Sequence, residues 1–194
     1  MDKFSYAIGL GIGQNLLSMG AKDLNADDFA QAVKDVLEGN KTAITHNEAR
    51  EIVNNYFAEL EKSVNEKNIA QGKAFLDANR NNPNVVTLPS GLQYEVIREG
   101  NGKKPKATDR VRCHYEGTLL DGTLFDSSIK RGEPAVFGVN QVIKGWVEAL
   151  QLMSEGAKWK LYIPSELAYG VQGAGDMIPP YSMLIFEVEL IEVL

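Results

Sequence analysis

The sequence predicts an α+β fold: an all-helical N-terminal part with a long connecting helix, then a curved antiparallel β-sheet wrapped on one short helix. Apolar residues in the first part recur at helical spacing, as at Val53, Phe57 and Leu60. Beyond residues 79–84, rich in Asn and Pro, apolar and polar residues alternate, which is typical of strands with one buried face. Between alternating stretches lies one amphipathic segment, residues 142–150, and a lone helix there should cover the apolar face of the sheet.

Composition and charge narrow the class of protein. The 194 residues suffice for one large domain or two small ones. The net charge of −6 argues against a nucleic-acid partner, because phosphate binding needs a basic patch, and no run approaches the length of a membrane helix. The only cysteine, Cys113, is expected to be a small buried hydrophobe. We expect a cytoplasmic protein, or a periplasmic or surface protein if a signal segment precedes this sequence.

The first domain, residues 1–83, is predicted to begin with two short helices. Asn25 or Asp27 is a candidate N-cap of the second helix, and Gly39 is suited to end it. The first helix contains closely spaced glycines that superficially resemble a phosphate-binding loop: Gly9, Gly11 and Gly13. Because no strand precedes them, we expect these glycines to let two helices approach closely rather than to bind a nucleotide.

A long third helix follows. Thr45 and Glu48 have the spacing of a capping box, and no strong stop occurs before Asn79, so the helix should run roughly 33 residues, or about 50 Å. Two short helices cannot bury a helix of this length. Its first half should therefore pack against something, while its second half should stand in solvent as an arm.

A homodimer through the N-terminal helices, residues 1 to about 65, is the economical way to bury that surface. Val53, Phe57 and Leu60 form a short coiled-coil-like stripe, and Met19 is a further candidate contact. An isolated three-helix bundle is the alternative.

The second domain, residues 84–194, is predicted to hold four or five antiparallel strands and one helix. Asp121-Gly122 is a hairpin turn signal. The helix is expected to begin at Val142 and to end near Gly156 in a left-handed C-cap. The segments that alternate are residues 92–97, 111–116, 158–163 and 184–191.

The usual catalytic and cofactor motifs are absent. His46 and His114 have no cysteine or second histidine at metal-ligand spacing, and no nucleotide-binding fingerprint occurs. We therefore predict no metal and no cofactor. The second domain instead has many aromatic and aliphatic residues near loops and strand ends. Together they would line an apolar cavity with few polar groups, namely Asp126, Arg131 and the hydroxyls of Tyr115 and Tyr169, although each apolar residue alone also fits a core position.

Several blocks of the second domain resemble the FKBP-type peptidyl-prolyl cis-trans isomerases, in order and with compatible spacing over residues 88–194. They are Val-Arg-Cys-His-Tyr-Glu-Gly at 111–117, Asp-Gly-Thr-Leu-Phe-Asp-Ser-Ser at 121–128, Gln-Val-Ile-Lys-Gly-Trp at 141–146, Ala-Tyr-Gly at 168–170, Ile-Pro-Pro at 178–180 and the closing segment 184–190. The helical part is similar to the bacterial dimeric subfamily that includes the macrophage infectivity potentiator proteins. That resemblance also implies a homodimer.

The resemblance implies a role for each site residue. Trp146 would be the floor under a prolyl ring, and the Tyr169 hydroxyl would donate to a substrate carbonyl. Asp126 would act electrostatically or by positioning, oriented by Tyr115 or Arg131, and its alternative is a loop cap after Phe125. The catalytic set would be Asp126, Tyr169, Trp146 and Phe186. The substrate-binding set would be Tyr115, Phe125, Arg131, Phe137, Val142, Ile143 (also through its backbone N–H) and Ile178.

The function that this resemblance implies is acceleration of X–Pro isomerisation in unfolded or partly folded proteins, with chaperone-like binding of unfolded chains. The alternatives are a chain-binding or proline-peptide-binding module with little isomerase activity, and an idle interaction module. Rapamycin-class macrolides would be candidate inhibitors. The sequence departs from the best-known single-domain members at Ala135, Ala174 and Met177, which predicts a more open pocket rim and leaves macrolide affinity and substrate preference open.

Overall fold

The structure, a computed structural model, describes residues 1–194 and divides into two compact units, residues 1–63 and residues 64–194. The first unit contains helices α1 (Lys3–Ser18) and α2 (Ala26–Glu38) and the first part of α3 (His46–Asn79). The second unit contains the rest of α3 and the whole sheet. No helix combines the length and the apolar character that crossing a membrane would require.

The helix ends of the first unit follow the capping signals in the sequence. The Asn25 side chain accepts hydrogen bonds from the backbone N–H groups of Asp27 and Asp28, and Gly39 ends α2 with a left-handed φ of 71°. Thr45 and Glu48 form the predicted capping box: the Glu48 N–H donates to Thr45 Oγ1 at 3.2 Å and the Thr45 N–H donates to Glu48 Oε2 at 2.8 Å. These reciprocal bonds satisfy two N–H groups that would otherwise be free at the start of α3.

No residue of α1 or α2 is buried by the rest of the chain. The glycines of α1 have nothing within 4 Å of the position where a Cβ would lie, so they make no close helix approach within one chain. Large apolar side chains of α1 are exposed, among them Phe4 at 75% and Leu17 at 61%. Such a surface is unusual for a protein that remains a monomer in water.

The predicted long helix is present, with 34 residues. Its last part does not stand in solvent, as the sequence analysis expected, but packs with the sheet in the second unit. Gly72 is buried against Met183, and Phe75 lies 5.6 Å from the ring of Tyr162. Because the end of the helix covers them, Gln93 and Tyr162 are 1% and 6% exposed although they alternate with the core positions of their strands.

Gln93 also completes the hydrogen bonding of the helix end. Its Nε2 donates to the Leu76 carbonyl at 2.8 Å, and its Oε1 accepts from Asn79 Nδ2 at 2.9 Å. A buried side-chain amide therefore satisfies a carbonyl of the last helical turn. The division between the compact units falls between residues 63 and 64, whereas the predicted domain boundary, between residues 83 and 84, lies just beyond the end of α3 at Asn79.

The second unit is built on one antiparallel sheet with the order β1-β2-β6-β7-β3-β4, in which β5 also pairs with β3. The sheet has seven strands, more than the four or five predicted, because three of them have only three or four residues and give no readable alternation. The strands are β1 (Val85–Thr87), β2 (Gln93–Arg98), β3 (Arg110–Leu119), β4 (Leu124–Ser127), β5 (Ala135–Gly138), β6 (Lys158–Ile163) and β7 (Leu184–Val193), and a short helix, α4 (Ser128–Arg131), follows β4.

One helix, α5 (Lys144–Leu152), packs on the apolar face of this sheet. It begins at Lys144, two residues later than predicted, with Ile143 as N-cap, because Val142 has an extended rather than a helical backbone conformation. The helix ends at Met153 in an extended conformation, so Gly156 is not its C-cap but lies in the following turn with φ 88°. Gly145 lets the helix approach closely, since a Cβ there would lie 2.6 Å from Ile163 Cγ2.

The core lies between α5 and the sheet, and it includes Cys113, which is fully buried as predicted. Burial raises the pKa of this thiol to about 12, so it stays protonated at neutral pH. His114 faces the other side of β3 and is hydrogen-bonded to Ser128 Oγ at 3.0 Å.

Candidate active site

An aromatic cluster forms the floor and walls of a cavity of about 590 Å³ in the second unit. Trp146, in the first turn of α5, is only 3% exposed. Its ring meets three others edge to face: Tyr115 at 5.3 Å, Phe137 at 5.7 Å and Phe186 at 5.3 Å between ring centroids. Such arrangements are favoured by the ring quadrupoles and hold each ring in a defined orientation. The floor of the cavity is therefore rigid and apolar.

Gly117 in β3 is required for this arrangement, although it is not among the site residues predicted from the sequence. A Cβ there would lie 2.6 Å from the rings of both Phe125 and Phe186, which themselves meet edge to face at 5.5 Å. A glycine inside a strand otherwise weakens it. A glycine within an otherwise alternating strand segment is therefore the sequence signal that could have revealed this role, which is to leave room for two rings of the cavity.

Asp126 lies at the cavity edge in a hydrogen-bonded triad with Tyr115 and Arg131. The Tyr115 hydroxyl donates to Asp126 Oδ2 at 2.5 Å, Arg131 Nη1 donates to Asp126 Oδ1, and Arg131 Nη2 donates to the Tyr115 hydroxyl oxygen at 2.8 Å. Burial by itself would raise the pKa of the Asp126 carboxyl, but the bonds from Tyr115 and Arg131 together hold that pKa below its ordinary value. Asp126 is consequently a fixed anion at neutral pH.

The strand pairing explains how the triad forms. Asp126 in β4 is paired with Gly117 in β3, two positions beyond Tyr115 on the same face, and Arg131 ends the short helix that follows β4. The N-cap Ser127 begins that helix by accepting from the Lys130 N–H at 3.0 Å. The three side chains therefore come from consecutive elements of one local motif.

Tyr169 supplies a second phenolic hydroxyl to the lining of the cavity. Burial, followed by the charge of Asp126, raises the pKa of the Tyr169 hydroxyl above its ordinary value, so it remains a hydrogen-bond donor at neutral pH. The side chain is 40% exposed, which leaves it accessible to a bound peptide. The Ile143 N–H makes no hydrogen bond within the chain, while the Ile143 carbonyl accepts from Trp146 and Val147.

A loop between residues 170 and 180 closes one side of the cavity. Backbone hydrogen bonds between Ala174 and Ile178, at 2.9 and 3.1 Å, fold its tip into a small hairpin. Ala174, Met177 and Ile178 line the cavity from this loop, and Gln141 lines it from the segment before α5. In the sequence, Ala174 and Met177 stand out only as departures from related proteins, and Gln141 is not among the predicted site residues.

The structure brings ten of the eleven predicted site residues to the wall of this one cavity. The exception is Arg131, which reaches the site only through Asp126 and Tyr115. The chain has no group of three or more His, Cys, Asp or Glu side chains arranged to hold a metal ion. The roles assigned to the individual residues stay predictions. The ten that line the cavity are Tyr115, Phe125, Asp126, Phe137, Val142, Ile143, Trp146, Tyr169, Ile178 and Phe186.

Two family models match the chain. Residues 101–191 match that of the FKBP-type peptidyl-prolyl cis-trans isomerase, and residues 1–96 match that of the domain amino terminal to FKBP-type peptidyl-prolyl isomerase. The chain belongs to the FKBP-type peptidyl-prolyl cis-trans isomerases. This confirms the predicted family, and the presence of both models agrees with the predicted subgroup that carries an N-terminal helical domain.

Individual relatives of this isomerase span nearly its whole length. It is 48% identical to the FKBP-type 22 kDa peptidyl-prolyl cis-trans isomerase of Escherichia coli, over 98% of this chain and 94% of the relative. It is 44% identical to the outer membrane protein MIP of Legionella longbeachae, over 99% and 85% of the two chains. The crystal structure of FkpA from Escherichia coli superposes with a TM-score of 0.81 at 34% identity, covering 98% of this chain and 95% of that one.

These likenesses confirm the predicted α+β fold class and the predicted activity. The protein is an enzyme, a peptidyl-prolyl cis-trans isomerase, and its substrates are peptides that contain proline. The apolar cavity above Trp146, with a fixed anion and a phenolic donor at its edges, is the candidate active site of this isomerase.

Proposed function

We propose that the isomerase acts on X–Pro bonds of unfolded and partly folded protein chains, and that the prolyl ring enters the cavity above Trp146. The observation that carries this proposal is the edge-to-face cluster of three rings around a floor that is 3% exposed. A rigid apolar site of this size accepts a pyrrolidine ring and excludes water from the neighbouring amide.

The reaction itself needs neither a nucleophile nor a proton transfer. Rotation about the X–Pro amide is opposed by about 18–20 kcal/mol of C–N resonance, and the uncatalysed event takes tens to hundreds of seconds. Catalysis requires that the site bind the twisted amide more tightly than either planar form. The twisted amide has lost resonance and charge separation, so its transfer into an apolar cavity costs less than transfer of a planar amide.

The polar groups at the rim would then hold the peptide in register. Tyr169 and the Ile143 N–H are donors suited to substrate carbonyls on either side of the prolyl bond. Asp126 is unsuited to act as a general base, because its carboxylate is already engaged by Tyr115 and Arg131 and its pKa is lowered. Its proposed contribution is electrostatic, together with the orientation of the Tyr115 ring in the cavity wall.

The first experiment is the cis-to-trans rate of short X–Pro peptides with the wild type, Trp146→Ala and Tyr169→Phe. Removal of the floor is expected to lower kcat/KM by about tenfold or more, because the indole no longer supports the prolyl ring, and Tyr169→Phe is expected to cost less. Circular dichroism checks that each variant is folded. If folded Trp146→Ala retains wild-type activity, this cavity is not the prolyl site.

We further propose that the isomerase is a homodimer through its first unit and that this unit adds chaperone-like binding of unfolded chains. The support is the exposed apolar surface of α1 and an apolar groove that Leu16 of α1 lines together with residues of α2, α3 and the segments between the helices. The alternative for this unit is chain binding without assembly or catalysis, and light scattering and refolding measurements separate assembly from chain binding.

Two finer proposals concern inhibitors and location. Rapamycin-class macrolides are proposed to compete with peptide for the cavity, whose rim carries the small side chain of Ala174 and the flexible one of Met177. Competition for wild-type activity measures this directly. A cytoplasmic location is also proposed, in keeping with a single cysteine that is reduced and buried, and cell fractionation tests it.

A further inference from the structure

The two ends of the loop between residues 170 and 180 are joined through one peptide group, the Pro180–Tyr181 peptide. The N–H of the Pro180–Tyr181 peptide, which belongs to Tyr181, donates to the Gly170 carbonyl at 2.8 Å. The carbonyl of the same peptide, which belongs to Pro180, accepts from Asn68 Nδ2 in α3 at 2.9 Å. Both ends of one peptide plane are therefore held, one by the start of the loop and the other by the long helix.

Tyr181 has an uncommon backbone conformation. Its φ of 58° is the only positive φ of a non-glycine residue in the chain. Side chains crowd the backbone in this region, so a residue other than glycine, asparagine or aspartate occupies it only when its surroundings impose it. A rotation of the Pro180–Tyr181 peptide plane would relieve Tyr181, but it would break the bonds to Asn68 and Gly170. The bond from Asn68 thus opposes the relaxation that would free the loop.

Gly170, which accepts the hydrogen bond from this peptide, lies next to the candidate active site. Gly170 follows Tyr169 directly, and it also has a left-handed φ, of 56°. Ala174, Met177 and Ile178 line the cavity from the same loop. A change at the Pro180–Tyr181 peptide would consequently move both the phenolic donor and one wall of the cavity.

The part of α3 that carries Asn68 is held in place by contacts within the second unit. One turn further along α3, Gly72 is buried against the Met183 side chain, with 3.4 Å between its virtual Cβ and Met183 Cβ. Phe75 packs on Tyr162, and Gln93 hydrogen-bonds the Leu76 carbonyl. These contacts fix the rotation of the helix, so the Asn68 amide has a defined direction toward the loop.

We propose that Asn68 is a positioning residue of the isomerase, which acts through the Pro180–Tyr181 peptide to hold Tyr169 and the 170–180 loop in the geometry that binds substrate. The inference rests on the proposed assignment of the cavity above Trp146 as the prolyl site. Asn68 does not line the cavity, so its proposed action is indirect. It links the long helix to the selectivity of the active site for the residue that precedes proline.

The test uses the full-length protein with Asn68→Asp, which keeps the size of the side chain but removes the N–H donor. Gln71→Glu is the matched control, because it adds the same charge at an exposed position of the same helix. For a series of X–Pro peptides, Asn68→Asp is expected to raise KM and to lower kcat/KM by about three- to tenfold, and to change the ratio of kcat/KM between small and large X. Hydrogen exchange at the Tyr181 amide should accelerate, while Gln71→Glu should match the wild type.

A second variant separates loop positioning from general stability. Asparagine tolerates the left-handed region, so Tyr181→Asn should remove most of the relaxation that Asn68 opposes. In that background, Asn68→Asp is expected to cost at most half of its original fold-change. A merely structural role would lower the melting temperature and the active fraction but leave KM and the ratio between peptides unchanged, and that result would overturn the proposal.

Failure of the proposal is distinguishable from failure of the site assignment. If Trp146→Ala is as active as the wild type, the prolyl site is elsewhere and the inference falls with it. If Trp146→Ala is impaired while Asn68→Asp equals Gln71→Glu in KM and in peptide preference, the site assignment stands and Asn68 has no positioning role.

Discussion

At the scale of single residues, the chemistry of the site depends on which groups keep their charge. Burial raises the pKa of the Tyr115 hydroxyl, with a further contribution from its hydrogen bond to Asp126, so it stays a donor. Asp126, by contrast, stays an anion because the bonds from Tyr115 and Arg131 outweigh its burial. A neutral donor and an anion thereby persist side by side over the whole physiological pH range.

This state predicts a particular pH profile. No titratable group that lines the cavity changes charge between about pH 6 and 9, so kcat/KM should be flat there rather than bell-shaped. A steady rate of the same peptide across this range would agree with the absence of acid–base catalysis. A profile that falls on both sides of neutrality would contradict it.

Unlike the activity, the stability contribution of Asp126 is expected to depend on pH in the acid range. The folded-state pKa of Asp126 lies below its ordinary value of 3.8, so the contribution of the carboxylate is complete above that value and is lost as pH falls through the folded pKa. The stability gap between wild type and Asp126→Asn should therefore be constant near neutrality and narrow in acid, as measured by urea unfolding.

At the scale of elements, one strand organises the site. β3 pairs with β4, β5 and β7. It contributes Tyr115 to the cavity wall, and its Gly117 leaves room for the wall rings of Phe125 and Phe186. Its alternation was readable from sequence and predicted the inward side chains correctly. Its neighbours in the cavity wall include the short strands β4 and β5, which have four residues each and therefore carry no reliable periodicity.

Gly117→Ala tests the role of this strand. The added Cβ would displace the rings of Phe125 and Phe186, which lie 2.6 Å from its position. Overpacking of this kind is expected to cost about 1–3 kcal/mol of stability, and the displaced rings should lower kcat/KM by about tenfold or more. Thr118→Ala, on the opposite face of the same strand, is the control and should leave the peptide rate near that of the wild type.

The end of α3 shows the limit of element-level prediction. Its length and its capping box were predictable from the sequence, but the surface against which it packs was not. Polar residues after Val64, Asn68 among them, suggested solvent. In the structure the Asn68 amide instead donates to the Pro180 carbonyl, and Gln93 hydrogen-bonds Asn79 and the Leu76 carbonyl at the helix end. A side-chain amide that pairs across an interface has the same sequence signature as one that faces water.

At the scale of the whole molecule, the exposed apolar surface of the first unit carries the remaining predictions. Ile8 is 52% exposed in α1, whereas Phe57 and Leu60 are half-buried within their own unit, so substitution of the latter two would confound unfolding with dissociation. Ile8→Glu is therefore expected to give a folded monomer where the wild type is a dimer, as measured by light scattering. Gln71→Glu carries the same charge change and should stay dimeric. A monomeric wild type would refute the dimer.

Chain holding is tested with the second unit alone, residues 64–194, which retains the packed end of α3. This variant is expected to keep the peptide isomerase rate of the full chain, because the cavity is built entirely from its residues. Its acceleration of a proline-limited refolding reaction should be several-fold weaker, since the surface that would hold the unfolded chain is absent. Equal refolding by both proteins would mean that the first unit has no holding role.

Sequence patterns were enough to predict the fold class, the long helix with its caps and most residues around the cavity, because local propensity, periodicity and an ordered set of motifs carry this information. Three features became evident only in the folded chain: where the end of α3 packs, the room that Gly117 leaves for two rings, and the bond from Asn68 to the Pro180 carbonyl. These features join residues that are distant in sequence, and they produce no periodic pattern. A contact made by one polar side chain, or permitted by a missing Cβ, depends on which part of the chain the fold places beside it.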